Sequence, residues 1–140
     1  GHHADVLTPL PAAHGGPEGD DEPAVRLAVP RLPGAGVACT PALGRALADA
    51  LRAGRYDVVH CHASVVSPAA WVGAGTARRL DLPCVATVHA VLRGTAGVLA
   101  AAERAARWSR WPLVASGVSE VVAARLRRAA PAARVVVLPN

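Results

Sequence analysis

Arg55-Tyr56-Asp57-Val58-Val59-His60-Cys61-His62-Ala63-Ser64 is the stretch on which the fold turns. Asp57 to Val59 is a short run bounded by polar residues, with two β-branched residues in tandem, and it reads as a buried parallel strand. Side chains alternate along a strand, so His60 and His62 project to one side as the strand runs out into a short polar loop. Ser67-Pro68 then opens a helix, with Ser67 as N-cap and Pro68 at the first helical position. Strand, histidine-bearing loop and helix make half of a β-α-β unit. In an open parallel sheet, ligands bind at the carboxyl ends of the strands, where these histidines stand.

Downstream the alternation repeats. Pro83 introduces a strand over Cys84 to Val88 that ends at His89, and a loop through Arg93-Gly94 leads to an Ala-rich helix from about Thr95 to Ser109. Leu113 to Ser116 is a strand, Ser119 caps a helix reaching Arg128, and Val135 to Leu138 is the last strand. Upstream, Val6 to Thr8 is a short strand and His14 to Pro23 is a Gly/Pro-rich loop with four acids. Val25 to Val29 alternates as a sheet-edge strand, and Pro30 to Gly36 is a turn-rich connection. Thr40-Pro41 opens a helix to about Ala53 with Leu43, Leu47 and Leu51 on one face, and Gly54 stops it. From Asp57 onward strand and helix alternate without a break. The fold class is therefore α/β: a Rossmann-like parallel sheet with helices on both faces and right-handed crossovers.

Composition narrows the function. The 140 residues suit one domain or a piece of one. All 15 basic residues are Arg, and the apolar content is Ala, Val and Leu with no Phe or Met, which fits a GC-rich coding sequence. The pI near 10.4 is not a nucleic-acid signature, because the arginines are scattered and not striped with aromatic residues. Cys39, Cys61 and Cys84 are an odd number without framework spacing, and read as reduced thiols in a cytoplasmic protein. No apolar run is long enough to span a membrane, and the N-terminus is no signal peptide.

His89 repeats the placement of His60, at the carboxyl end of the next strand. If the two strands are neighbours, His60, His62 and His89 converge on one crevice, where imidazoles can orient hydroxyls, bind phosphate oxygens or move protons. The same histidines could equally cap strand ends by bonding loop carbonyls. A zinc site is a second chemical reading of His-x-His plus a third His, weakened because Cys61 points to the opposite face and no acid is near to orient the ligands. Arg93 is placed to meet a phosphate or carboxylate, or is solvated. Ser116 and Ser119 flank a helix start that favours an anion, and Ser119 also serves as a plain N-cap. Trp108, Arg110 and Trp111 form a basic, aromatic helix end that either touches an anionic membrane surface or is buried under the sheet edge.

Five segments together resemble the N-terminal domain of a family 4 glycosyltransferase of the GT-B architecture. Gly1 to Thr8 is similar to the family's "GHeVtVlt", Tyr56 to His62 to "yDvvHaH", and Pro83 to His89 to "P.v.TvH". Leu113 to Glu120 resembles "d.vvavSe", and Val135 to Asn140 the "v.viPN" that leads on toward the interdomain connection. They fall in the family's order and spacing over nearly the whole chain. The resemblance implies retaining, hexosyltransferase-type transfer of a sugar from a nucleotide sugar, with no further cofactor and no metal, in a cleft between two Rossmann-like domains. It implies a sugar, lipid or small-molecule acceptor held mainly by this domain. It places His89, the expected catalytic residue, beside the donor sugar, and His60 and His62 in the same cleft region; with Arg93 and Ser119, read from their own positions, these two are the expected substrate-binding residues. It also implies a cytoplasmic setting, peripheral at the inner membrane face for some acceptors.

Two features of the family are expected outside residues 1–140: its first strand with a glycine-rich loop, and the whole C-terminal donor domain with paired glutamates. Residues 1–140 then form one glycosyltransferase family 4-like N-terminal domain, a fragment inactive by itself, in which loss of a central strand exposes two strand edges. The rival from another class is a non-catalytic Rossmann-like binding module left by gene truncation.

Overall fold

The structure, a computed structural model, describes residues 2–9, 24–27, 41–63, 67–89 and 96–139. Among them are β1 (Val6–Thr8), β2 (Ala24–Arg26), α1 (Pro41–Gly54), β3 (Val59–Ala63), α2 (Pro68–Arg79), β4 (Cys84–Val88), α3 (Ala96–Ala106), a 3₁₀ turn (Trp108–Arg110), β5 (Leu113–Gly117), α4 (Glu120–Ala129) and β6 (Arg134–Val137). β3, β4, β5 and β6 form a parallel sheet in sequence order, and β1 pairs in parallel with β2 in a separate two-stranded sheet. This is the expected α/β, Rossmann-like architecture, with α2, α3 and α4 falling between successive strands of the four-stranded sheet. Helices were expected on both faces, and among the described residues these three pack on one.

Alternation along the strands sorts the two faces. Cys61, Ala63, Cys84, Ala86, Val88, Leu113 and Ala115 turn to one side and are all buried. Against them lie Ala74 and Ala77 of α2, Leu99 of α3, Trp108, and Val122 and Leu126 of α4. Small residues on both sides bring backbones close, and Trp108, 2% exposed, fills the volume that alanines leave. Its ring meets Trp71 at 5.3 Å between centroids. Trp108 is therefore a core residue, whereas Trp111 is half-buried with the Arg78 guanidinium 5.3 Å above its ring. The free thiols of Cys61 and Cys84 lie in this core with sulfurs 4.0 Å apart; their mutual hydrogen bond, then burial, push the Cys84 thiol up, so it stays protonated and unreactive.

Three sequence expectations need correction. The strand predicted over Asp57 to Val59 runs over Val59–Ala63, so His60 and His62 lie within the strand and not in the loop beyond it. The reason is that Cys61 and Ala63 are apolar and find the helices on the far face, which keeps the chain in the ladder. Ser67 stands at the N-cap of α2 and Pro68 at its first position, as expected, but the Ser67 side chain makes no cap bond to the helix. The long helix to Ser109 breaks at Arg107, which adopts a left-handed conformation (φ 51°). There the Glu103 carboxylate accepts from the Ser109 amide and hydroxyl and redirects the chain into the 3₁₀ turn. Thr40, Cys39, Arg93, Thr95, Asn140 and the predicted loops at 14–23 and 30–36 lie outside the described residues, as does the end of the strand predicted to reach Val29.

The α1 helix forms as its leucine spacing predicts: Leu43, Leu47 and Leu51 are buried, packing toward β1, Leu27 and α2. Arg55 then takes a left-handed conformation (φ 51°), and the Tyr56 ring folds back over Gly54, where a Cβ would overlap Tyr56 Cε2. So placed, the Tyr56 hydroxyl donates to Asp5 Oδ2 at 2.6 Å and ties the start of β3 to the start of β1. Between those strands runs a groove of about 450 Å³, walled by Val6 and Thr8 on one side and Val59 and Cys61 on the other, with Leu43 and Leu47 in its lining. Among the described residues both walls are edge strands of their sheets.

Gly117, at the end of β5, sets how closely α4 approaches: a Cβ there would stand 2.6 Å from the Ala123 amide nitrogen. Gly117→Ala should lower stability by about 1–3 kcal/mol in denaturant titrations, because the contact is with backbone that cannot turn aside. Gly75→Ala, whose Cβ meets only the Trp111 ring at 3.6 Å, should be neutral or stabilising. Equal losses at both positions would refute the close-approach account.

Candidate functional site

The site grows out of the β3–β4 register. His60 pairs with Val85 and His62 with Thr87, and the His89 amide extends the ladder by donating to the Ala63 carbonyl at 2.9 Å. The two histidines of β3 share a face with Thr87, and His89 joins them where β4 ends. Beside it, the Val118 amide donates to the Val88 carbonyl at 3.4 Å, bringing the β5–α4 corner to the same edge of the sheet.

The three imidazoles do converge. His62 Nδ1 and His89 Nε2 are 3.0 Å apart, with ring centroids at 5.2 Å and planes inclined by 22°. His60 lies against His62 at 4.3 Å between centroids. The bond between His62 and His89 demands one protonated and one bare nitrogen, so the pair shares a single proton at that contact. These two nitrogens spend their lone pair and proton on each other and do not converge on a common ion. Among the described residues no group of three or more His, Cys, Asp or Glu side chains could hold a metal.

His60 is bonded on its other side: its Nε2 lies 2.7 Å from Thr87 Oγ1, which in turn lies 2.7 Å from Ser116 Oγ. Burial lowers the His60 pKa from its ordinary value of 6.5, and charge on His62 and then His89 acts in the same direction. Thr87 was not among the residues expected from sequence to line the site. The signal was available in the period of two, since Thr87 must share a face with His89, but a threonine in a strand is ordinarily read as strand-forming.

Ser119 caps α4, its Oγ accepting from the Val122 amide at 3.4 Å. That hydroxyl is committed to the helix, so a substrate would have to compete with the cap for it. Arg93 is outside the described residues.

With the histidine face and the parallel sheet in place, comparison with known proteins gives a specific answer. The family model for Glycosyltransferase Family 4 matches residues 1–140. The chain belongs to that family. No match was found among curated proteins or solved structures. A family 4 glycosyltransferase chain carries a transferase-type function and acts on sugar donor and acceptor substrates in general. None of the described helices is long and apolar enough to cross a membrane.

The depressed pKa of His60 has a measurable consequence. Between its folded value and 6.5 the unfolded chain binds more protons, so stability rises with pH through that window and is fully present above it. Lowering the pH from about 7.5 to about 5 should cost wild-type chain more stability than it costs His60→Gln. Parallel pH profiles for the two proteins, measured by chemical denaturation, would contradict this.

Proposed function

We propose that the chain is the acceptor-side part of an enzyme that transfers a sugar, of hexosyl type, from a nucleotide sugar to an acceptor with retention of configuration. The observation that carries the reading is the His62–His89 pair at 3.0 Å, with the His60 ring tilted against His62 beside it, on one face at the carboxyl edge of a parallel sheet. That edge is where open α/β sheets bind ligands. In this reading His89 lies beside the donor sugar, while His60 and His62 bind acceptor hydroxyls and Arg93 meets donor phosphate. Ser119 contributes through the α4 N-terminus it caps. The nucleotide sugar is a co-substrate and no other cofactor is invoked.

The proposal includes a donor-binding domain and one further strand supplied by polypeptide outside residues 1–140. The groove between the facing edges of β1 and β3, bridged at its base by Tyr56 and Asp5, supports that strand. The proposed setting is cytoplasmic, with the protein peripheral at the inner face of a membrane where the acceptor is a lipid. Trp108 is buried in the core and gives such contact no aromatic anchor.

In the complete transferase, His89→Ala should reduce turnover about a hundredfold, within the range of a positioned imidazole, with the thermal unfolding of the enzyme unchanged. Unchanged turnover in a folded variant would remove His89 from the proposed role.

A further inference from the structure

Behind the exposed ring of His60 the sheet carries two hydroxyls. Thr87 is 4% exposed and Ser116 0%, and they stand directly opposite each other in the β4–β5 register. With the His60 Nε2–Thr87 Oγ1 and Thr87 Oγ1–Ser116 Oγ separations both 2.7 Å, an unbroken line of polar groups crosses three adjacent strands. It begins in the core at Ser116 and ends at the imidazole on the surface.

Counting hydrogens orients the line. Each hydroxyl has one hydrogen to donate, and a buried hydroxyl hydrogen without an acceptor is costly. Suppose Nε2–H of His60 donated to Thr87 and Thr87 donated to Ser116. The Ser116 hydrogen would then need a further acceptor, and among the described residues Thr87 is the partner that this hydroxyl has. In the opposite direction Ser116 donates to Thr87, Thr87 donates to Nε2, and both hydrogens are used. That direction requires a bare Nε2 and places the ring proton on Nδ1.

We propose that Thr87 and Ser116 are positioning residues that hold His60 as the neutral Nδ1–H tautomer, so that His60 offers the crevice a hydrogen-bond donor. The inference rests on reading this face as a substrate site and deepens it. His60 recognises an oxygen lone pair, of a hydroxyl or a phosphoryl group, and does not take a proton from the substrate through Nε2. The burial and neighbouring imidazoles that hold His60 below the ordinary histidine range favour the same neutral ring.

The test is long-range ¹H–¹⁵N correlation of the imidazoles in the histidine-labelled 140-residue chain, at a pH where His60 is neutral. The expected wild-type spectrum shows Nε2 of His60 as the bare, acceptor-type nitrogen, with the Nδ1–H form in about tenfold excess, the ratio a hydrogen bond of ordinary net strength sets. Thr87→Val should reverse that ratio toward the form an unconstrained imidazole favours in water. Thr87→Ser should restore it, which a merely structural role would not require. A wild-type His60 protonated on Nε2 overturns the proposal without recourse to any variant, and so does a folded Thr87→Val chain with the wild-type ratio. Neither result depends on turnover, so the inference can fail while the transferase reading stands, and the reverse.

Discussion

The parallel pairing of β3 with β4, in one register, is the constraint on which the rest depends. It sets Cys61 and Ala63 against the helices and thereby turns His60 and His62 outward. It also brings His89 level with Ala63 at the end of the ladder. A slip of one residue would exchange the faces, burying two imidazoles among alanines and exposing two apolar side chains. The cost of burying those polar rings is what makes the register specific. The candidate site is therefore a by-product of the same choice that builds the core.

The chemistry follows from how the imidazoles are partnered. His62 and His89 are hydrogen-bonded to each other, whereas His60 is bonded backward into the sheet through Thr87 and Ser116. Tilted contact between the His60 and His62 rings joins the two systems into one surface. Such a surface presents fixed imidazole edges to a polyhydroxylated or phosphorylated ligand, in keeping with the family to which the chain belongs.

Much of this was legible in the sequence, for identifiable reasons. The leucine spacing of α1 and the strand–helix alternation after Asp57 are local patterns, and they placed the elements. His89 could be joined to His60 because consecutive strands in such sheets tend to be neighbours. The end of β3 was misplaced because Val58-Val59 looked like the strand's centre, while the residues that prolong it gain their burial from α2 and α4, far along the chain. The break at Arg107 was hidden for a related reason: an alanine-rich run has no local stop, and the Glu103–Ser109 bonds that replace the helix are made by side chains. Thr87 escaped notice, and Ser116 was noted only for its place before the α4 start, because their link to His60 lies in register, which a single strand does not carry.

One measurement bears most directly on the central claim: ring-proton contacts of the histidines in the folded chain, observed by NMR. The account predicts contact between the His62 and His89 rings, and between the His60 ring and the Thr87 side chain. Contacts of His60 and His62 with Ala86 and Ala115 would place the imidazoles on the opposite face. That result would contradict the register, and with it the site.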